Sequence, residues 1–233
     1  MSATPAFTLH NAQDLAFPVL VSVPHAGREY PGPLLDALRV AAGDLLRLED
    51  RYADRLVQPA IAEGFPAIIA HRARAWVDLN RAGDDFDAGM FAGPDMPDSR
   101  PSAKSRGGLG LIPRRLQACG ELWRGHFAAS DYHERVESLH RPYHHAIGET
   151  LARMRARFGV AILLDVHSMP PIAKTPDQNG DRNAPPQFVI GDRFGRSAAS
   201  LYSETLAAHL RMLGFRAALN SPYPGVYILD SHG

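Results

Sequence analysis

The run VAILLDVH, residues 160–167, restricts the fold of this chain more than any other stretch. Its apolar residues Val160 to Leu164 suit a strand buried on both faces, the usual state of a strand in a parallel sheet. Asp165 and His167 then stand at the carboxyl end of that strand, either tied to partners or aimed into a site. Comparable strands are predicted at PVLVSVPH (18–25), PAIIAH (66–71), RAWVDLNR (74–81), QFVIGD (187–192) and FRAALN (215–220). Helical patterns separate several of them. One runs over 44–64 and ends at Gly64, one from Ser130 to Phe158 with Ser130 or Asp131 as N-cap and Gly159 as stop, and one from Ser197 to Leu213 closed by Gly214. This alternation predicts one α/β domain over residues 1–233, a mostly parallel mixed sheet flanked by helices, with ligands gathered beyond the carboxyl ends of its strands. Two irregular stretches, 82–112 and 170–186, are long enough to be functional loops.

Charge excludes several function classes. Lys plus Arg equals Asp plus Glu at 25 each, and no compact basic block is visible, so no net field recruits nucleic acid or an anionic membrane. Cys119 is the only cysteine, which rules out an intramolecular disulfide and a thiolate metal cluster. No apolar stretch reaches 18 residues and the N-terminus lacks a basic segment followed by an apolar core, so a cytoplasmic location is expected. Oligomeric state is left open between monomer and homo-oligomer.

Parallel strand ends converge, so His25, Asn80, Arg81, Asp165 and His167 can share one cleft although far apart in sequence. Two imidazoles from separate strands plus a carboxylate form a divalent-metal set, with zinc the default. Glu49 and Asp50, on the predicted 44–64 helix, both qualify as the carboxylate, and either can instead serve the helix macrodipole. Asp165, two residues before His167, points to the same side of the strand and can orient the imidazole or cap a neighbouring loop. Arg81 and Arg74 offer planar forks suited to a substrate carboxylate, or to the acidic loop residues Asp84, Asp85 and Asp87. Pro142 within RPYH predicts a kink or break in the long helix, set either by site geometry or by packing.

The words SVPHAG, RAWVDLNR, GLGLIPRR, HRPYHHAI, LLDVHSMP, VIGDRFGRS and NSPYPGVYI, in this order, resemble the N-formylglutamate amidohydrolase (N-formylglutamate deformylase) family from about Val19 to Gly233. The resemblance implies a fold related to the zinc carboxypeptidases and aspartoacylase, and one Zn2+ per chain on His25, Asp50 and His167, Asp50 being preferred because it aligns with the family's acidic position. It also implies a small acidic substrate whose α-carboxylate is held by Asn80 and Arg81, with Arg141 and Tyr223 as further substrate contacts. Arg74 would polarise the scissile carbonyl, and His144 is assigned with it to catalysis. The implied reaction is hydrolysis of N-formyl-L-glutamate to formate and L-glutamate in histidine breakdown. The alternatives are a related zinc amidohydrolase for another N-acyl amino acid or cyclic imide, and a catalytically silent metal and acidic-ligand binding protein. Family members continue into a QxE word whose Glu resembles a general base. The chain reaches Gly233 before it, and Val226 alters the family's GG doublet. Either this chain is truncated relative to a longer product, or the base is lost; if nothing replaces that Glu, with Glu49, His144 and His232 the candidate substitutes, metal binding with little turnover is expected.

Overall fold

Strands rich in Val, Ile and Ala build the sheet that sets the site. The structure is a computed structural model and describes residues 5–172 and 184–233. It divides into two compact units, Met1–Ser168 and Met169–Gly233. In the first, β1 (Phe7–His10), β2 (Val19–Val23), β3 (Ala67–Ala70) and β4 (Ile162–Asp165) form one mixed sheet in the order β1-β3-β2-β4. β2 pairs in parallel with both β3 and β4, placing Val21 opposite Ala67 and Leu164, and β1 adds an antiparallel edge. β2 and β3 are buried almost throughout, and Val21, Val23, Ala67 and Ile69 pack on Ala53 and Val57. β4 departs from the expectation of a strand buried on both faces. As an edge strand it is half-buried, and Leu164 is 41% exposed.

The predicted 44–64 helix is not continuous. Residues Ala42–Leu48 form a 3-10 helix, and two short helices follow at Ala53–Leu56 and Gln58–Ala62. The chain opens to an extended conformation at Glu49 (ψ 136°), and Tyr52 adopts a left-handed φ of 69°, which no helix interior accommodates. Nor does RAWVDLNR form a strand. Residues Ala75 to Arg81 are buried but irregular, with backbone bonds to distant groups, such as Asp78 N–H to Leu111 O at 2.7 Å. The 82–112 stretch is largely irregular, as expected, with short helical turns at Ala88–Met90 and Ala103–Arg106.

The long helical run does not break at Pro142. It begins as α1 (Ala129–Arg135), passes through a π-helical turn over Val136–His140 and continues as α2 (Arg141–Phe158). Pro142 falls in the first turn of α2, just after the wide π turn, where its missing N–H is accommodated. Buried Tyr143, Ile147, Thr150 and Met154 fall at helical spacing, and Gly159 ends the run with φ 74°. The second unit contains a parallel pair, β5 (Phe188–Ile190) and β6 (Ala217–Leu219), with α3 (Ser200–Met212) between them in sequence and a terminal helix α4 (Tyr227–His232). Within the predicted 170–186 loop, residues 173–183 lie outside the described residues. Among the described residues no helix is long and apolar enough to cross a membrane.

Candidate metal and substrate site

Beyond the carboxyl ends of β2 and β4, the chain delivers two imidazoles to one carboxylate. His25 lies two residues past β2 and His167 two residues past β4. Asp50 is fastened beside them by its own backbone, whose N–H donates to His25 O at 2.9 Å. Its Oδ2 is 2.8 Å from His167 Nδ1 and 3.6 Å from His25 Nδ1, and one donor atom from each of the three residues lies within 4.8 Å of the others. Ser168 Oγ donates to the other oxygen of Asp50 at 3.3 Å.

Extended backbone at Glu49 separates the two acidic candidates, because successive side chains on an extended chain point to opposite sides. Asp50 faces the imidazoles. Glu49 is buried elsewhere, where it accepts from Tyr30 Oη and has Arg51 Nε at 3.2 Å. Burial and the Glu49 hydrogen bond push the Tyr30 hydroxyl well above its ordinary value.

Each imidazole is backed by a second carboxylate on its far nitrogen. His25 Nε2 is 2.7 Å from Asp78 Oδ1, and His167 Nε2 is 2.8 Å from Asp165 Oδ2. Asp165 also accepts from Ser22 Oγ at 2.8 Å, and Ser22 in turn contacts Tyr143 Oη at 3.1 Å. Carboxylate-backed histidines whose inner nitrogens converge on a third acidic group are a donor set suited to zinc. Burial opposes ionisation of both partners, yet Asp165 and Asp50 raise His167 to about 10, while His167 and His25 hold Asp50 far below the usual carboxylate range. The acidic groups thus favour a positive charge at their centre, which a proton or a cation can supply.

Asp78 is the functional residue that sequence reasoning missed. It is 0% exposed and receives Arg74 through Nε at 2.8 Å and Nη2 at 2.7 Å, His25, and the backbone N–H of Asn80 at 2.9 Å. Burial raises its pKa, but Arg74 and His25 outweigh it and hold the carboxyl well below its ordinary value. An acid inside the apolar word WVDL was the available signal.

Other candidates fall in different places. Asn80 Nδ2 lies 3.2 Å from His167 Nε2 and 3.4 Å from Asp165 Oδ2. Arg81, 7% exposed, donates from Nε to Leu109 O at 2.8 Å and from Nη1 to Asn80 O at 3.3 Å. Neither Arg81 nor Arg74 pairs with Asp84, Asp85 or Asp87 among the described residues. Arg74 pairs with Asp78, and Asp85 instead holds Ser102. His144 Nε2 is 2.9 Å from Leu79 O. Arg141 is exposed and joined to Glu137, one turn earlier on the helix. Tyr223 and His232 belong to the second unit, Tyr223 being exposed and His232 closing α4.

The family model for N-formylglutamate amidohydrolase matches residues 17–233. The chain belongs to the N-formylglutamate amidohydrolase family. It is 32% identical over 231 residues to the N-formylglutamate deformylase of Pseudomonas aeruginosa, covering 93% of this chain and 75% of that protein. The N-formylglutamate deformylase of Pseudomonas putida is 27% identical over 219 residues, covering 93% and 74%. Among solved structures, the N-formylglutamate amidohydrolase of Ralstonia eutropha JMP134 superposes with a TM-score of 0.87 at 30% identity, over 97% of this chain and 80% of that one. A gene product of Agrobacterium tumefaciens shares the fold at a TM-score of 0.59 and 16% identity, over 94% and 75%.

For a member of the N-formylglutamate amidohydrolase family, this arrangement offers two chemistries side by side. The two histidines and Asp50 form an acid-rich donor set for a cation. Arg81 supplies a buried guanidinium with no carboxylate at ion-pair distance among the described residues, which suits an incoming anion.

Proposed function

We propose that the chain hydrolyses the formamide bond of N-formyl-L-glutamate to formate and L-glutamate, with His25, Asp50 and His167 holding a divalent cation, zinc by donor chemistry. The observation that carries the reading is the pair of carboxylate-backed imidazoles facing Asp50, next to the buried Arg81, which has no carboxylate at ion-pair distance among the described residues. A zinc ion bound there supplies Lewis acidity and acidifies a bound water.

The chain's own residues bind the substrate, polarise it and hold the donor set. Arg81 spends Nε and Nη1 on backbone carbonyls, and its Nη2 makes no hydrogen bond among the described residues, so it is the edge left to receive the substrate α-carboxylate. Asn80 offers its side-chain amide beside the same site. Arg74 is locked to Asp78 through Nε and Nη2, which leaves Nη1 directed by a rigid fork, suited to the formyl oxygen as negative charge develops on it. Asp78 and Asp165 hold the two imidazoles with their inner nitrogens toward Asp50.

Formate release from N-formyl-L-glutamate, measured with and without a chelator and after zinc is restored, tests the proposal. Zinc-dependent release supports it. No formate at any zinc concentration, while an acidic ligand still binds, refutes the enzyme and leaves a binding protein. Faster turnover of an N-acetyl amino acid or a cyclic imide would move the substrate assignment within the same chemistry.

A further inference from the structure

Four side chains of the helical run reach a single irregular segment. Tyr132 Oη donates to Gly83 O at 3.0 Å, Arg135 Nη1 to Trp76 O at 3.1 Å, His140 Nε2 to Arg81 O at 2.8 Å and His144 Nε2 to Leu79 O at 2.9 Å. That segment carries Asp78, Asn80 and Arg81, and because it forms no strand its carbonyls lack a ladder and need donors from elsewhere. Arg135 is wholly buried, its guanidinium 4.3 Å from the ring centres of both Trp76 and Phe127, and no carboxylate lies at ion-pair distance among the described residues. Such a group holds its place through the rings and the carbonyl it serves.

Spacing explains how one face carries all four. Arg135 and His140 are five residues apart, which on an α-helix separates their directions by about 140°. Between them lies the π turn, closed by the Arg141 N–H bonding Val136 O, and i→i+5 closure brings the fifth residue back to nearly the same side. His144 follows one turn after His140.

We propose that Tyr132, Arg135, His140 and His144 are positioning residues for the segment that binds substrate, and that the π turn is the register device which aims them at four of its carbonyls. This deepens the reading of Arg81 and Asn80 as substrate-binding groups and rests on it. The four residues act on backbone and set where Asp78, Asn80 and Arg81 point.

Three variants, read by kinetics, zinc stoichiometry and amide exchange, test the proposal. His140→Phe keeps a ring and removes the donor to Arg81 O, while His140→Gln restores an amide donor. Removing one hydrogen bond of ordinary strength is expected to raise KM for N-formyl-L-glutamate about tenfold while kcat stays within about threefold, and the Gln variant should recover most of the loss. Zinc stoichiometry stays at the wild-type value, and amide hydrogens over 76–83 exchange faster. Inserting one Ala after the exposed Ser138 leaves every donor in the chain but turns His140 and His144 by about 100° relative to Arg135, and it should raise KM at least as much.

Unchanged KM and exchange in His140→Phe overturn the proposal. Loss of zinc together with kcat also overturns it, since the face would then support the fold generally. If the wild-type chain releases no formate, the amidase reading fails separately, and succinate affinity by calorimetry, with exchange over 76–83, still decides whether the face positions the segment.

Discussion

Asp78 is the residue whose loss should be felt most widely, because one fully buried carboxylate serves four donors from three residues. Asp78→Ala leaves the Arg74 guanidinium and the His25 Nε2 without their partner. Removing one member of a buried pair costs about 3–5 kcal/mol, and Arg74 keeps 20% of its side chain in contact with solvent, which places the cost at the lower end. That is a large share of a total stability of about 5–15 kcal/mol. Asp78→Asn keeps the shape and one acceptor oxygen but turns an amide NH2 toward either Arg74 or His25, and about 2 kcal/mol is expected. Because the carboxylate also fixes the His25 ring, zinc affinity should fall about 10–100-fold in both variants. Urea unfolding of the chelator-treated chain measures the first quantity, and competition against a chromogenic zinc chelator measures the second. An Asp78→Asn variant within about 0.5 kcal/mol of wild type, a change typical of exposed positions, and with unaltered zinc affinity would refute the assignment of Asp78 as the anchor of His25 and Arg74.

Further substitutions separate the remaining roles. His167→Ala should abolish stoichiometric zinc and formate release together, and a variant that retains zinc by elemental analysis removes His167 from the donor set. Arg81→Ala should keep zinc and lose substrate affinity by roughly 1.5–3 kcal/mol, the worth of a charge-assisted bond, read as KM. Concurrent loss of zinc would make Arg81 a structural group. Gly27→Ala should be strongly destabilising, since an added Cβ would sit 2.1 Å from Arg72 O and 2.6 Å from His71 O, both backbone atoms, and thermal unfolding registers it. In the second unit, Asp192 accepts from Ser203 Oγ at 2.6 Å, Asn220 Nδ2 at 2.7 Å and Gly195 N at 3.0 Å, and these bonds depress its pKa. A depressed acid contributes stability that is complete above its unfolded value of about 3.9 and is lost as pH falls through the folded one. Asp192→Asn should therefore be less stable than wild type at pH 7, by a margin that shrinks below about pH 4 in pH-dependent urea melts.

What the sequence disclosed and what it concealed divide along a physical line. His25 and His167 were legible because each follows a short apolar run, and parallel pairing of β2 with β4 obliges the two strand ends to meet. The choice between Glu49 and Asp50 was not legible by periodicity. A helical pattern over 44–64 puts both acids near one face, whereas the actual chain is extended at Glu49 and left-handed at Tyr52, and only that backbone sends them apart. The word RAWVDLNR was read as a strand because its alternation mimics one. Its hydrogen bonds go instead to Leu111 and to side chains some fifty to sixty-five residues away, and no local pattern encodes such partners.

The same line explains why HRPYHHAI carried a signal without a meaning. Pro142, two residues after His140 in a long helical pattern, predicts a kink whose cost is set against site geometry or packing. The structure keeps the helix intact and spends the irregularity one turn earlier, as a π turn that changes which side chains share a face. His140 and Arg135 would face different directions without it, and the Trp76 and Arg81 carbonyls of the binding segment would lose the donors that now reach them. Residues that meet a cation can be found from strand ends, since topology alone brings those ends together. Residues that hold a binding segment in place depend on the count of residues within a single helical turn, and a substitution scan centred on the strand ends would pass them by.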